Sequence, residues 1–374
     1  MPLRDALAVV QPYRPQRPLR ELQAELGLER IVKLASNEGA FGPLPAAVAA
    51  FEAAVGDLNR YPDGGGRRLR DALAERHGLD PAQVVLGNGA DELIRLCAVA
   101  TLDAGDAAVF PWPSFPSYAA AAACSGAEAV RVPLRGRAFD LAAVMDAVRR
   151  GRTKLVYLAN PNNPTGTLLD RAELRRFLDG LPEEVLCVLD EAYAEYADPE
   201  PEGPALVREG RPALSVLRTF SKVHGLAALR IGYALASSAV ADALDRVRPV
   251  FNVNQPAQEA ALASLHERDA LALRVEHARR GRRFLYDALA EAGLDPEPSH
   301  TNFVYADVPE GDGEALARRL LHEGVIVRAL TGFGAPGAVR VTSGADEENE
   351  LFAEALRSER VCGLLGQERV TKRA

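Results

Sequence analysis

From about residue 84 onward, short apolar runs alternate with stretches of helical period. Val84–Leu86, Ala107–Phe110, Lys154–Ala159, Val185–Leu189, Ala213–Leu217 and Ile231–Leu235 read as strands, most of them bounded by turn residues. Runs that are apolar on both faces need cover on both faces. With helical patterns between them, they predict a mostly parallel sheet buried between helices. Ligands of such sheets sit beyond the carboxyl ends of the strands. From Pro256 to Ala292 the period is helical for most of the length, which predicts a connecting helix. The later runs, Phe303–Tyr305, Val325–Arg328 and Val339–Val341, with helices between and after them, predict a smaller α+β unit. The first 40 residues carry several prolines and little periodicity, and they read as an arm that joins this smaller unit. The expected division is a large domain over 41–280 and a small one made of 1–40 and 281–374.

A chain of 374 residues exceeds what one small core holds, in keeping with two units. The formal net charge of -8 argues against non-specific binding to nucleic acid or to an anionic membrane, but not against a local basic pocket. Cys97, Cys124, Cys187 and Cys362 are scattered without a CxxC pair, so neither a disulfide framework nor a metal site is expected. The apolar run at the start is too short for a signal peptide, and no run approaches a membrane span. The expectation is a cytoplasmic protein.

Four segments carry candidate chemistry. Thr219-Phe220-Ser221-Lys222 follows a strand, with Arg230 beyond it. A lysine in a protected pocket can lose its proton and form a Schiff base, while two hydroxyls and a guanidinium suit a phosphate. The alternative is a surface lysine in a polar loop. Asp190-Glu191-Ala192-Tyr193 ends another strand. A carboxylate there needs a cationic partner, and a pyridinium N–H would serve; the alternative is a helix cap. Asn160-Pro161-Asn162-Asn163-Pro164-Thr165-Gly166 is first of all a rigid turn, with the Asn163 amide available to a ligand oxygen. Gly87-Asn88-Gly89-Ala90-Asp91 joins a strand to a helix, and the N–H groups of Ala90 and Asp91 could cradle a phosphate. Neither GxGxxG nor GxxxxGK[ST] occurs, which argues against a nicotinamide dehydrogenase.

In combination these segments resemble the fold-type I pyridoxal-phosphate aminotransferases, and within them the histidinol-phosphate aminotransferase family. Ser36-Asn37-Glu38, Arg60-Tyr61-Pro62-Asp63, Asn162-Asn163-Pro164-Thr165-Gly166, Leu229-Arg230-Ile231-Gly232 and Arg340-Val341-Thr342 also match, so the resemblance runs over nearly the whole chain. It implies an α/β fold with a mostly parallel seven-stranded sheet in the large domain. It implies pyridoxal 5'-phosphate held by Lys222, with Asp190 on the pyridine nitrogen, Asn163 and Tyr193 on the phenolic oxygen, and Phe115 stacked on the ring. Ala90, Asp91, Thr219, Ser221 and Arg230 would hold the phosphate, joined by Tyr61 from the second subunit of a homodimer. Lys222, Asp190 and Tyr193 would be the catalytic residues. Substrate would meet Tyr13, Asn37, Tyr61, Asn163, Arg328 and Arg340, with Arg340 on its acidic end.

The implied reaction passes an amino group between histidinol phosphate (or imidazole acetol phosphate) and glutamate or 2-oxoglutarate. Aromatic or secondary-metabolite amino acids, or decarboxylation of a phosphorylated amino acid, are the alternatives on the same core. The chain departs from the family pattern at Gly39-Ala40-Phe41, His224, Ala228, Ser343 and Ala345.

Overall fold

The computed structural model describes residues 10 and 18–365. Its central sheet has seven strands: β1 (Val84–Gly87), β2 (Ala107–Trp112), β3 (Glu128–Pro133), β4 (Thr153–Ala159), β5 (Leu186–Asp190), β6 (Leu214–Thr219) and β7 (Gly232–Ala236). Their order is β1-β7-β6-β5-β4-β2-β3. Only β7 runs against its neighbours; the other pairs are parallel. β1, β5, β6 and β7 are buried along their whole length, as strands covered on both faces must be.

All six apolar runs became strands of this sheet. The seventh, β3, lies at the edge, where Glu128, Arg131 and Pro133 face solvent, so it left no continuous apolar run. The predicted connecting helix is two helices, Gln255–His266 and Arg268–Glu291, parted at Glu267, whose backbone leaves the helical region. The expected arm carries a helix over Leu19–Leu26, ended by Gly27 in the left-handed conformation.

The second sheet is antiparallel: β8 (Asp295–Pro296), β9 (Phe303–Asp307), β10 (Arg328–Leu330) and β11 (Ala335–Thr342), in the order β10-β11-β9-β8. Val32–Lys33 pairs in parallel with Val325–Ile326, which ties the N-terminal segment to this part of the chain. Two large apolar cores result, with two small clusters beside them. One surrounds the central sheet and includes Leu44 and Ala278; the other includes Leu34, Leu285, Val304 and Phe352. We propose that the two units divide near residues 41 and 280, between these members of the two cores. Among the described residues, no helix is long and apolar enough to cross a membrane.

Candidate active site

A cavity of about 240 Å³ opens at the carboxyl ends of β4, β5 and β6. Ala90, Asp91, Phe115, Asn163, Asp190, Tyr193, Thr219, Ser221, Lys222 and Arg230 all border it. Topology explains the convergence: parallel strands deliver their last residues to one edge of the sheet, and Ala159, Asp190 and Thr219 are such residues.

One end of the cavity is built for an anion. The helix Ala90–Thr101 points its first turn here, and the first N–H groups of a helix lack intrahelical acceptors. Arg230 sits in the left-handed region at φ 56 and donates to Ser221 Oγ at 3.3 Å and to the Ala227 carbonyl at 3.0 Å. The Thr219 hydroxyl accepts from the Ser221 N–H at 3.1 Å, which fixes the turn that leads to Lys222. Gly89 leaves room for the guanidinium: a Cβ there would stand 2.4 Å from an Arg230 nitrogen, at a φ of +80 that side chains resist. The Asp91 carboxylate is engaged by the Ser117 hydroxyl and by Arg95. Its contribution to an anion is therefore its backbone.

Asp190 also borders the cavity. Its carboxylate is only 7% exposed and accepts from the Tyr118 hydroxyl at 2.7 Å and the Ala192 N–H at 3.2 Å. Burial pushes its pKa up, against both hydrogen bonds and the charge of Lys222. Tyr118 is itself fully buried, stacked on Tyr157 with ring centroids 4.7 Å apart. Burial, with the carboxylate beside it, holds its hydroxyl far above the ordinary range. Sequence reasoning chose Phe115 from this segment and missed Tyr118. Both border the cavity, with their rings edge to face at 5.8 Å.

Lys222 Nζ lies 5.4 Å from the centroid of the Tyr193 ring. The Tyr193 hydroxyl accepts from the Asn37 amide at 2.8 Å. Asn37 does not border the cavity; it holds Tyr193 from behind, and its N–H donates to Thr342 Oγ1 at 3.0 Å.

Arg340 reaches the cavity wall through Asn163. Its guanidinium donates to Asn163 Oδ1 and, at 3.0 Å, to the Ala35 carbonyl. The rings of Phe303 and Phe333 each have their centroids 5.1 Å from it. It is 3% exposed, its Nε has no acceptor, and among the described residues no carboxylate pairs with it. Burial pulls its pKa down to about 10. Arg328 sits directly across the β10–β11 pair from it, placing two cations side by side, with only a long 3.5 Å contact from Arg328 to the Ala35 carbonyl.

Tyr61 is 82% exposed, stacked on Phe251 at 4.7 Å, and does not border the cavity of its own chain. Tyr13 lies outside the described residues. Of the departures from the family pattern, His224 is buried and bonded to Ser264 at 2.7 Å. Burial takes its pKa down to about 3, so it packs as a neutral ring.

The model of the aminotransferase class I and II family matches residues 29–356. A histidinol-phosphate aminotransferase 2 of Carboxydothermus hydrogenoformans is 42% identical over 358 residues, covering 95% of this chain and 98% of that one. Another, from Pseudomonas aeruginosa, is 46% identical over 351 residues, covering 93% and 94%. Among solved structures, the histidinol-phosphate aminotransferase of Sinorhizobium meliloti in complex with pyridoxal-5'-phosphate has a TM-score of 0.88 at 31% identity, over 97% of this chain and 98% of that one. The cavity, the strand ends that build it and these likenesses lead to one conclusion: the chain belongs to the class I and II aminotransferase family.

Proposed function

We propose that the chain is a pyridoxal 5'-phosphate-dependent histidinol-phosphate aminotransferase working with 2-oxoglutarate and glutamate. The observation that carries the substrate reading is the pair of cations at Arg340 and Arg328, facing each other without a carboxylate among the described residues. A buried guanidinium costs free energy unless an anion meets it. The relief here would come from the acidic end of a substrate, phosphate in one half-reaction and carboxylate in the other. The relatives named above are histidinol-phosphate aminotransferases over nearly their full length, which supports the same choice.

The residues present also fit the cofactor. A phosphate suits the helix N-terminus beside Arg230, Ser221 and Thr219, where Gly89 clears the approach. A protonated ring nitrogen suits Asp190, a buried carboxylate bordering the same cavity. When bound, pyridoxal phosphate supplies an aldehyde that takes up an amine and a ring that withdraws the charge left by a departing proton.

The chain's own residues would do the rest. Lys222 Nζ would hold the cofactor and then, once free, remove the substrate's α-proton and return it, as general base and general acid. Asp190 would keep the ring nitrogen protonated, oriented by Tyr118. Tyr193 and Asn163 would hold the phenolic oxygen, and Asn163 would couple that oxygen to Arg340. Phe115 would lie against the ring face.

Adding histidinol phosphate to the purified enzyme is expected to bleach its visible absorbance band, and 2-oxoglutarate to restore it. A band that ignores histidinol phosphate but responds to phenylalanine would replace the substrate. A band that 2-oxoglutarate never restores would favour a lyase or decarboxylase.

The reading includes a homodimer. Tyr61 stands away from its own cavity, exposed and stacked on the exposed Phe251, an apolar pair that a second copy would cover while bringing Tyr61 to the neighbouring site. Sedimentation is expected to give twice the chain mass for the active species. An active monomer would remove Tyr61 from the site.

A further inference from the structure

One site must accept an imidazole tail in one half-reaction and a carboxylate tail in the other, and the arginines account only for the acidic group. Among the described residues, three carboxylates border the cavity: Asp91, Asp190 and Glu38. Asp91 is taken by Ser117 and Arg95, and Asp190 by Tyr118 and the Ala192 N–H. Glu38 differs. Among the described residues its one side-chain partner is Lys33, at 2.9 Å, and its side chain keeps 47% of its surface exposed. It is an acceptor on the cavity wall with room for a second donor.

The backbone that presents Glu38 is fixed at every residue around it. Asn37 is held in the left-handed region at φ 56. Its amide is tied to Tyr193 and its N–H to Thr342. The Asn302 amide donates to the carbonyls of both Asn37 and Glu38, at 3.1 Å each. Gly39 packs so closely behind Lys222 that a Cβ would stand 2.8 Å from its carbonyl oxygen. A left-handed non-glycine residue persists only where the surroundings over-determine it. The strap is therefore a rigid mount that sets Glu38 relative to Lys222 and Tyr193.

Resting on the reading above, we propose that Glu38 determines specificity for the amino donor, accepting a hydrogen bond from the ring N–H of the imidazole tail. Lys33 makes the same residue serve the other half-reaction. It keeps the Glu38 charge partly neutralised, so a carboxylate tail directed toward Arg340 meets less repulsion at the wall. Protonation of the ring strengthens the pairing, so preference for imidazole grows as pH falls through the imidazole pKa of roughly 6.5.

The test compares equilibrium binding of two unreactive ligands to the holoenzyme by calorimetry: 3-(imidazol-4-yl)propyl phosphate and 3-phenylpropyl phosphate. They share the phosphate and the propyl linker, and only the imidazole, the smaller of the two rings, carries a ring N–H. The wild type is expected to prefer the imidazole ligand by at least about fivefold, and Glu38→Ala to lose that preference while still binding the phenyl ligand as before. Glu38→Gln, which keeps an acceptor without charge, is expected to retain part of the preference and to lose its growth at low pH. An unchanged ratio in Glu38→Ala overturns the proposal. So does an equal loss for both ligands, which would mean that the strap had moved. If neither ligand binds the wild type, the functional reading fails and takes this proposal with it.

Discussion

Lys222→Ala is expected to lower turnover with histidinol phosphate by at least about 10,000-fold, because the substitution removes both the point of attachment and the proton carrier. No neighbouring group replaces it. Tyr193 is the closest titratable ring, and its hydroxyl already accepts from Asn37. Among the described residues, the only other cationic side chain bordering the cavity is Arg230, which is committed to Ser221 and the Ala227 carbonyl. Lys222→Arg is expected to be as inactive, since a guanidinium stays protonated at every working pH and cannot take a proton.

The variant should nonetheless fold. Phe220, two residues earlier, anchors the segment in the core, and the Thr219–Ser221 turn does not involve the lysine side chain. Three results are expected together: an unchanged circular dichroism spectrum, a lost visible band, and partial recovery of turnover with added small primary amines. Recovery separates a missing proton carrier from a collapsed site. A variant that turns over at more than a hundredth of the wild-type rate would remove Lys222 from the chemistry.

How much of this was legible in the sequence follows from what each residue needs. Strands covered on both faces are apolar throughout, so six of the seven announced themselves; β3, half wet at the edge, did not. Lys222, Asp190 and Arg230 were legible because each is a charged residue at a strand end, a place where charge needs a reason. Tyr118 was not. A tyrosine in the first turn of a helix rich in alanine reads as packing, and only the fold shows its hydroxyl on Asp190. Arg340 was legible as an arginine but its cage was not, because Ala35, Asn163, Phe303 and Phe333 come from four distant parts of the chain. The helix break at Glu267 carries no proline or glycine to mark it. Glu38 stood in a recognised motif, but its place on the wall depends on Asn302, 264 residues away.

Replacing Asp190 should separate activity from stability. Asp190→Asn is expected to lower turnover about 1,000-fold or more, since an amide cannot hold the ring nitrogen protonated through the reaction. It is also expected to raise the melting temperature of the cofactor-free protein at neutral pH. Burial places the Asp190 pKa above its ordinary value of 3.8, so the folded chain binds that proton more tightly than the unfolded chain. Below the ordinary value both states keep the proton and there is no penalty. As pH rises from there through the folded-state value, the unfolded chain ionises first and folding loses ground; above it the whole penalty is present.

Asparagine carries no such charge. The Tyr118 hydroxyl can turn from donor to acceptor, so the amide fits the same pocket. The cofactor should reverse the order: its cationic ring nitrogen would compensate the buried carboxylate, so binding is expected to raise the melting temperature of the wild type by more than that of the variant. Melting curves of both proteins with and without pyridoxal phosphate, from pH 5 to 8, check each arm. If the cofactor-free variant melts below the wild type across that range, Asp190 is a structural carboxylate satisfied by Tyr118 and Ala192, and its assignment to the ring nitrogen falls. If the expected crossing is found, the buried charge is unfavourable to the empty fold and is compensated only when the site is filled, which is the signature of a residue placed for chemistry.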